Sequence, residues 1–191
     1  MSSHGADWLE RAEREAEEQP DLVMDAMQLR DGQTVAEIGA GTGYFARRMA
    51  RRVSPSGKVF AVDIQPEMLT LLARYVREEG VTNIVPVLGG ETDPRLPEKS
   101  VDWILLVDVY HEFQKPQPML ARIRESLTPG GRVALVEYRQ EGESAGHIKR
   151  EHRMSVEQVR AEWEAAGFEI VEIDERLKSQ HLFILRVAQR R

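Results

Sequence analysis

Three glycines at alternate positions, Gly39, Gly41 and Gly43, join a short apolar run to a stretch of helix-forming residues. Glycine allows a sharp turn and a close approach of a ligand to the main chain, because it has no Cβ. The start of the following helix adds unpaired N–H groups and the positive end of the helix dipole. We interpret this stretch as a nucleotide-binding loop rather than a plain turn.

Two acidic residues indicate which nucleotide the loop favours. Asp63 follows Gly43 by twenty residues, at the end of the second predicted strand. A carboxylate there can accept hydrogen bonds from both hydroxyls of a ribose, although a helix cap is the simpler alternative. Glu37 lies at the mouth of the loop, where it would repel a pyrophosphate and attract an ammonium or sulfonium group. The charge therefore favours S-adenosylmethionine over a nicotinamide dinucleotide.

Apolar and helix-forming segments alternate around this loop and predict a doubly wound α/β fold with right-handed crossovers. The predicted parallel strands are 34–38, 58–62, 84–88, 101–107 and 132–137. A helix then runs from Ser155 to Ala166, and the strands 169–173 and 182–187 predict an antiparallel hairpin. Ligands of such sheets bind beyond the carboxyl ends of the strands. The glycine loop, Asp63, the Glu91 loop, residues 108–113 and Tyr138 should therefore converge.

From about residue 30 onward the chain resembles the class I S-adenosylmethionine-dependent methyltransferases. The resemblance rests on Val35–Gly43, on Val62-Asp63 and on Leu127–Arg132, which reads Leu-Thr-Pro-Gly-Gly-Arg. It implies a Rossmann-like sheet of seven strands in the order 3-2-1-4-5-7-6, with five parallel strands and a C-terminal hairpin. The chain is similar to small bacterial enzymes of the ubiquinone/menaquinone-biosynthesis-like and arsenite-methyltransferase-like group. It has no cysteine, so arsenic methylation is excluded.

The resemblance also implies cofactor-binding residues. The main chain of the glycine loop, including Ala40, would pass under the methionine part, with Glu37 at its ammonium and Asp108 at the same end. Asp63 would bind the ribose, Ile64 would lie against the adenine, and Glu91 or Thr92 would contact the adenine amino group. Tyr44 follows the last glycine, and we expect it to touch the cofactor or the N-terminal helix. The product would be S-adenosylhomocysteine.

The residues after the fourth and fifth strands are the candidates for catalysis. His111 is a possible general base, oriented by Glu112 or Asp108, because its ordinary pKa suits proton transfer near neutral pH. The alternative is that His111 only lines the adenosine pocket. Tyr138 ends the fifth strand and should also face the pocket.

Acceptor binding is predicted at the two ends of the chain. Residues 8–18 form a helix that is either a solvated surface helix or a lid over the pocket. The polar loop 139–154 is the second candidate, and two histidines in it without a convergent carboxylate do not predict a metal site. The candidate substrate-binding residues are Trp8, Arg11, Tyr110, Arg139, His147 and His152.

Composition limits the remaining possibilities. The chain has 191 residues and a net charge of −6, which disfavours nucleic acid as a partner. No apolar run is long enough for a membrane span, and we expect a cytoplasmic monomer or homodimer. We divide a single domain, 1–191, into a helical cap (1–30), a cofactor-binding core (31–138), a substrate loop (139–154) and a terminal helix with hairpin (155–191).

Methyl transfer to an oxygen, nitrogen or carbon atom of a small molecule is the predicted function. A nicotinamide-dependent oxidoreductase and a non-catalytic S-adenosylmethionine-binding protein are the alternatives.

Overall fold

A mixed β-sheet carries the glycine loop near its centre in the computed structural model, which describes residues 6–189. The strands are β1 (Thr34–Ile38), β2 (Lys58–Asp63), β3 (Ile84–Leu88), β4 (Val101–Val107), β5 (Leu127–Arg139), β6 (Arg153–Met154), β7 (Phe168–Asp174) and β8 (Gln180–Val187). The helices are α1 (Ala6–Leu9), α2 (Glu13–Glu18), α3 (Pro20–Met27), α4 (Tyr44–Arg52), α5 (Pro66–Glu78), α6 (Pro116–Ser126) and α7 (Val156–Ala165). Short 3₁₀ turns cover Tyr110–Glu112 and Arg150–His152.

The strand order is β3-β2-β1-β4-β5-β8-β7, with β6 paired to the end of β5. Strands β1 to β5 are parallel, and β8 is antiparallel to both β5 and β7. This confirms the predicted Rossmann-like sheet, because the short β6 only shifts the numbers of the hairpin strands. The chain reverses direction across the sheet between β1 and β4, which is where ligands of such folds bind.

Two hydrophobic cores cover the two faces of the sheet. Alternate side chains of β4 enter them: Trp103 and Leu105 pack with α3, α4 and α5, whereas Ile104 and Leu106 pack with α6 and α7. This period of two follows from the pleat of a strand, and burial of both faces explains why every residue of β4 except Asp102 is apolar. Among residues 6–189, no helix is long and apolar enough to cross a membrane.

Two predicted boundaries are wrong. Residues 8–18 do not form one helix: α1 ends at Leu9, and α2 begins only at Glu13. The side chain of Glu10 reaches out of this segment to the buried Arg47, so the chain breaks its helix to make that contact. Strand β5 begins at Leu127, not at 132, because Leu127 already pairs with Val101 before the register shifts. The predicted turn 128–131 therefore lies inside the strand as a bulge.

Gly43 forms the N-cap of α4 and has a φ of 83°. A Cβ on this residue would lie 2.9 Å from Cδ1 of Leu72, in the core below the loop. Its glycine identity is therefore explained by backbone conformation and packing.

We expect Gly43→Ala to lower the free energy of unfolding by about 2–4 kcal/mol, through left-handed strain plus overpacking. Gly80→Ala is the matched control, because Gly80 also has a positive φ, of 65°, but nothing near its missing Cβ. It should lose only about 1 kcal/mol. Urea denaturation of both variants measures the difference, and equal losses would contradict the packing role of Gly43.

Candidate functional site

A cavity of about 640 Å³ lies at the carboxyl ends of β1, β2, β4 and β5. This volume is within the range of small-molecule sites, about 300–1,000 Å³. All five segments that the sequence predicted to converge contribute to its wall. The lining includes Glu37, Gly39, Ala40, Gly41, Asp63, Ile64, Gly90, Glu91, Asp108, His111, Glu112, Tyr138, His147 and His152.

Asp63 connects the end of β2 to the glycine loop. Its Oδ2 accepts a hydrogen bond from the Gly41 N–H at 2.8 Å, and its Oδ1 accepts one from the Gln65 N–H at 2.9 Å. The side chain is 6% exposed and faces the cavity. Because a carboxylate has about four lone-pair sites, each oxygen keeps one for a ligand. Asp63 therefore serves as a local backbone cap and remains able to accept hydrogen bonds from the cavity.

The buried carboxylates at this cavity have unpaired oxygens. In the described part of the chain, four buried side-chain polar atoms have no hydrogen-bond partner, and three of these are carboxylate oxygens of Glu18, Glu37 and Asp108. All three residues line the cavity. Burying an unpaired acceptor costs about 1–3 kcal/mol, and more for a charged group, so the arrangement is suited to a cationic ligand.

Glu37 is 3% exposed at the end of β1. Burial raises the pKa of its carboxyl from 4.5 to about 8, against the opposing effects of Arg14 and the Ala46 backbone. Burial also raises the pKa of Asp108 well above its ordinary value, and the carboxylates of Glu137 and Glu18 raise it further. One oxygen of Asp108 accepts a hydrogen bond from Nε2 of Gln180 at 2.7 Å, which leaves the other for a ligand.

Residues 6–18, which we call the N-terminal segment, form one wall of the cavity. The segment lines the cavity with Trp8, Leu9, Arg14 and Glu18. The alternative of a solvated surface helix is therefore wrong for the side of the segment that faces the cavity. The Nε of Arg14 donates to Glu18 at 2.8 Å, and its Nη1 donates to the Leu9 carbonyl at 2.8 Å. Arg14, not the predicted Arg11, is the arginine that faces inward. The guanidinium of Arg11 instead stacks on the Trp8 ring, 3.5 Å from its centre.

The N-terminal segment is fixed to α4 by charged contacts. Both carboxylate oxygens of Glu10 accept from Nη2 of Arg47, at 2.6 and 2.7 Å, and Thr42 donates to Glu10 at 2.5 Å. The Tyr44 hydroxyl donates to Glu15 at 2.8 Å. Tyr44 therefore touches the N-terminal segment and does not line the cavity.

A hydrogen bond to Glu137 fixes the position of the His111 ring. The Nδ1 of His111 lies 2.7 Å from Oε2 of Glu137, and the other oxygen of Glu137 accepts from the Tyr110 N–H at 2.8 Å. Burial lowers the pKa of His111, but the hydrogen bond to the Glu137 carboxylate outweighs it, and the net shift is upward. The predicted orienting residues, Glu112 and Asp108, do not make this contact. Glu137 is the charged residue that ends the apolar run Val133–Val136 of β5, which was the available sequence signal.

A histidine cluster, made of His111, Glu112 and His152, lies at one end of the cavity. The Nδ1 of His152 is 3.0 Å from the Nε2 of His111. One ligand atom from each of the three residues lies within 4.8 Å of the other two. Both ring nitrogens of His111 therefore have partners, so a role as general base would require His152 to move away.

Tyr138 and His147 also line this end, with ring centres 6.4 Å apart. Burial raises the pKa of the Tyr138 hydroxyl, and so does the charge of Asp108, so this phenol is neutral at physiological pH. Tyr138 is therefore available as a hydrogen-bond donor and not as a phenolate.

Six predicted residues lie outside the cavity wall: Arg11, Gly43, Tyr44, Thr92, Tyr110 and Arg139. Tyr110 is in the core, where its hydroxyl donates to Glu162 at 2.7 Å and its ring packs on Trp163. Arg139 donates to the carbonyls of Gln180 and Leu177, both at 2.9 Å, and thereby holds the β7–β8 turn. Both sit beside the site in sequence, but their side chains point away from it.

A family described as "Methyltransferase domain" matches residues 35–131, just over half of the chain. The chain belongs to this family. The match includes the glycine loop, Asp63 and the Pro129–Gly131 turn, so it confirms the resemblance to class I enzymes, and with it S-adenosylmethionine as the cofactor of this methyltransferase domain.

Relatives with known names differ in their acceptors. The methyltransferase domain is 31% identical over 114 residues to a protein-L-isoaspartate O-methyltransferase of Methanothrix thermoacetophila, covering 60% of this chain and 51% of that protein. It is 29% identical over 110 residues to a ubiquinone/menaquinone biosynthesis C-methyltransferase of Cupriavidus metallidurans, covering 58% and 45%. This chain thus spans about half the length of these two curated relatives.

The crystal structure of a SAM-dependent methyltransferase from Aquifex aeolicus has the same fold. The TM-score is 0.92 at 24% identity, over 98% of this chain and 100% of that one. The likeness confirms the α/β architecture with its C-terminal hairpin.

The raised pKa of Glu37 predicts how stability depends on pH. Between pH 4.5 and about 8 the folded state without ligand holds a proton that the unfolded state has lost, so stability falls as pH rises through this window. From pH 6 to pH 8 the wild type should lose about 2 kcal/mol more than Glu37→Gln, which lacks this titration.

Urea denaturation at several pH values measures this difference. Glu67→Gln, at an exposed position in the first turn of α5, is the control and should keep the wild-type slope. If the stability of Glu37→Gln changed with pH as steeply as that of the wild type, the raised pKa would not belong to Glu37.

Proposed function

We propose that this protein transfers a methyl group from S-adenosylmethionine to an oxygen, nitrogen or carbon atom of a small molecule. The observation that carries the proposal is the pair of buried, unpaired carboxylate oxygens of Glu37 and Asp108, beside a strand-end aspartate that faces the same cavity. Family membership supports the methyl donor, and the shape of the cavity supports a small acceptor.

Each half of the cofactor has residues that suit it. Asp63 would accept hydrogen bonds from the ribose hydroxyls, with the exposed Ile64 and the Gly90-Glu91 segment on the adenine side. Glu37 and Asp108 would bind the ammonium group and lie on the side of the sulfonium charge. When bound, S-adenosylmethionine supplies an electrophilic methyl group on a positively charged sulfur. The chain's own contribution is to align donor and acceptor and to exclude water, which can supply up to about 7–11 kcal/mol.

We place the acceptor at the end of the cavity lined by the histidine cluster, Tyr138 and His147. The N-terminal segment covers the other side of this space, with Leu9 over the glycine loop: a Cβ on Gly41 would lie 3.0 Å from Leu9 Cδ1. A wall of this kind favours a small molecule over a protein or nucleic acid as acceptor.

The electrostatics argue against a nicotinamide dinucleotide. A pyrophosphate at the glycine loop would lie beside the buried carboxyl groups of Glu37 and Asp108, whose raised pKa values it would raise further, so it would gain no charge pairing there. Binding of the cationic donor instead relieves the cost of leaving these oxygens unpaired.

Isothermal titration calorimetry tests the donor. S-adenosylmethionine and S-adenosylhomocysteine should bind at one site per chain, and NADH should not bind. Asp63→Ala should weaken S-adenosylhomocysteine binding by about 1–3 kcal/mol, through lost contacts to the ribose and a loosened glycine loop. Saturable binding of NADH alone would overturn the proposal.

Asp174→Ala is the matched control for Asp63→Ala. Asp174 also ends a strand and accepts a hydrogen bond from the backbone two residues on, at 3.0 Å, but it lies away from the cavity. Its loss should leave cofactor affinity unchanged.

Release of S-adenosylhomocysteine with a library of small phenols, amines and carbon acids then tests turnover. Cofactor binding without release for any acceptor would favour the non-catalytic alternative.

We further propose that the N-terminal segment holds the cavity closed. Glu10→Gln weakens the contact with Arg47, so S-adenosylhomocysteine should dissociate about tenfold faster, the equivalent of about 1.4 kcal/mol. Stopped-flow displacement measures the rate. Glu17→Gln alters the same residue type in the same segment, but among residues 6–189 Glu17 pairs only with Arg11, and its rate should match the wild type. Equal rates for both variants would mean that the segment does not close the site.

A further inference from the structure

The histidine cluster has the composition of a metal site. It offers two imidazole nitrogens and one carboxylate, the ligand set that zinc and other divalent transition metals take in open, catalytic sites. The sequence did not predict a metal site from the pair His147 and His152, because no carboxylate converged with them. The fold instead brings His111 and Glu112 from the end of β4 to meet His152.

The spacing of the two nitrogens fits two ligands of one ion. Metal–nitrogen bonds of about 2.0–2.1 Å place neighbouring ligand atoms about 2.8–3.4 Å apart in octahedral or tetrahedral coordination. The Nε2 of His111 and the Nδ1 of His152 are 3.0 Å apart. Glu112 is exposed, and one of its carboxylate oxygens lies within 4.8 Å of both nitrogens.

The hydrogen bond between His111 and Glu137 is of the kind that metal-binding histidines make. A metal-binding histidine donates its second ring N–H to a carboxylate, which fixes the tautomer and makes the ligand nitrogen more basic. Glu137 provides this contact at 2.7 Å, is fully buried, and is itself held by the Tyr110 N–H. His152 is fixed in turn by β6, whose Arg153 pairs with Tyr138 of β5.

We propose that His111, Glu112 and His152 bind one divalent transition-metal ion, with an open coordination position facing the acceptor end of the cavity. The ligand class for that position is a hydroxyl of the acceptor, and this part rests on the proposed function. Glu137 is the positioning residue of the site. In this proposal His111 binds the metal ion and does not act as a general base.

A metal ion bound to the histidine cluster would activate the acceptor. An acceptor hydroxyl that coordinates the ion loses its proton to solvent more readily, because the cation stabilises the anion. The oxygen then forms a bond to the methyl carbon, the carbon–sulfur bond of the donor breaks, and its electron pair stays on sulfur. The products are the methylated acceptor, S-adenosylhomocysteine and one proton.

Metal uptake by the full chain, with any affinity tag removed, tests the site. Zn²⁺ should bind with one equivalent per chain by calorimetry, and Co²⁺ should give the absorption bands of a nitrogen- and oxygen-ligated ion. His111→Gln and His152→Gln should each weaken Zn²⁺ binding by about 100-fold, and Glu137→Gln by about 10–100-fold. Glu112→Gln should weaken it less and alter the Co²⁺ spectrum.

His147→Gln is the matched control, because His147 lines the same cavity on the same loop but lies outside the cluster. It should bind Zn²⁺ like the wild type. The same pair of histidines could instead share one proton in an N–H···N hydrogen bond. No stoichiometric metal uptake by the wild type would overturn the proposal in favour of that bond. An equal loss in His147→Gln and His152→Gln would overturn the proposed set of ligands.

S-adenosylhomocysteine binding separates this proposal from the proposed function. The His111, Glu112 and His152 variants should still bind S-adenosylhomocysteine, since these residues are not among those assigned to the cofactor, and this also shows that the variants are folded. Glu137→Gln is left out of this comparison, because the Glu137 carboxylate raises the pKa of Asp108. Metal uptake without cofactor binding by the wild type would contradict the methyltransferase assignment and leave the metal site standing. Cofactor binding without metal uptake would overturn the metal site and leave the methyltransferase assignment standing.

Discussion

Carboxylate oxygens buried without partners at the carboxyl edge of the sheet are the constraint on which the rest of this structure depends. Glu37 ends β1, Asp108 follows β4, and Glu18 faces both from the N-terminal segment. Each costs free energy in the absence of a cation, which the two apolar cores on either face of the sheet must offset. The site is thus destabilised when empty and complementary to positive charge, which fits a donor with an ammonium and a sulfonium group.

Attachment of the N-terminal segment depends on charge as well. Glu10 lies in the break between α1 and α2 and pairs with Arg47, a cation that is 5% exposed and also pairs with Glu79. A buried guanidinium requires such partners, so the segment cannot leave the surface without leaving Arg47 less well compensated. The same segment contributes Arg14 and Glu18 to the cavity, which links its attachment to the electrostatics of the donor site.

The opposite end of the cavity is built by pairing strands. Glu137 is placed under His111 because β4 and β5 are parallel neighbours, and His152 reaches His111 because β6 adds to the end of β5. Three segments far apart in sequence therefore form one polar cluster beside the donor site. Its position, not its composition alone, makes a role in acceptor activation chemically reasonable.

The sequence by itself determined the α/β sheet and the residues around the glycine loop, because glycine spacing, strand-end acids and apolar periodicity are local signals, and the resemblance to a known family added the strand order. Predicted strands β3 and β4 match the structure residue for residue. Only the tertiary structure decided where the predicted catalytic and substrate-binding side chains lie: Arg14 replaced Arg11, Glu137 replaced Glu112 and Asp108 beside His111, and Tyr110 and Arg139 turned away. Side-chain direction after a strand end, and contacts such as that of His111 with His152, depend on how distant segments pack, and no local pattern records them.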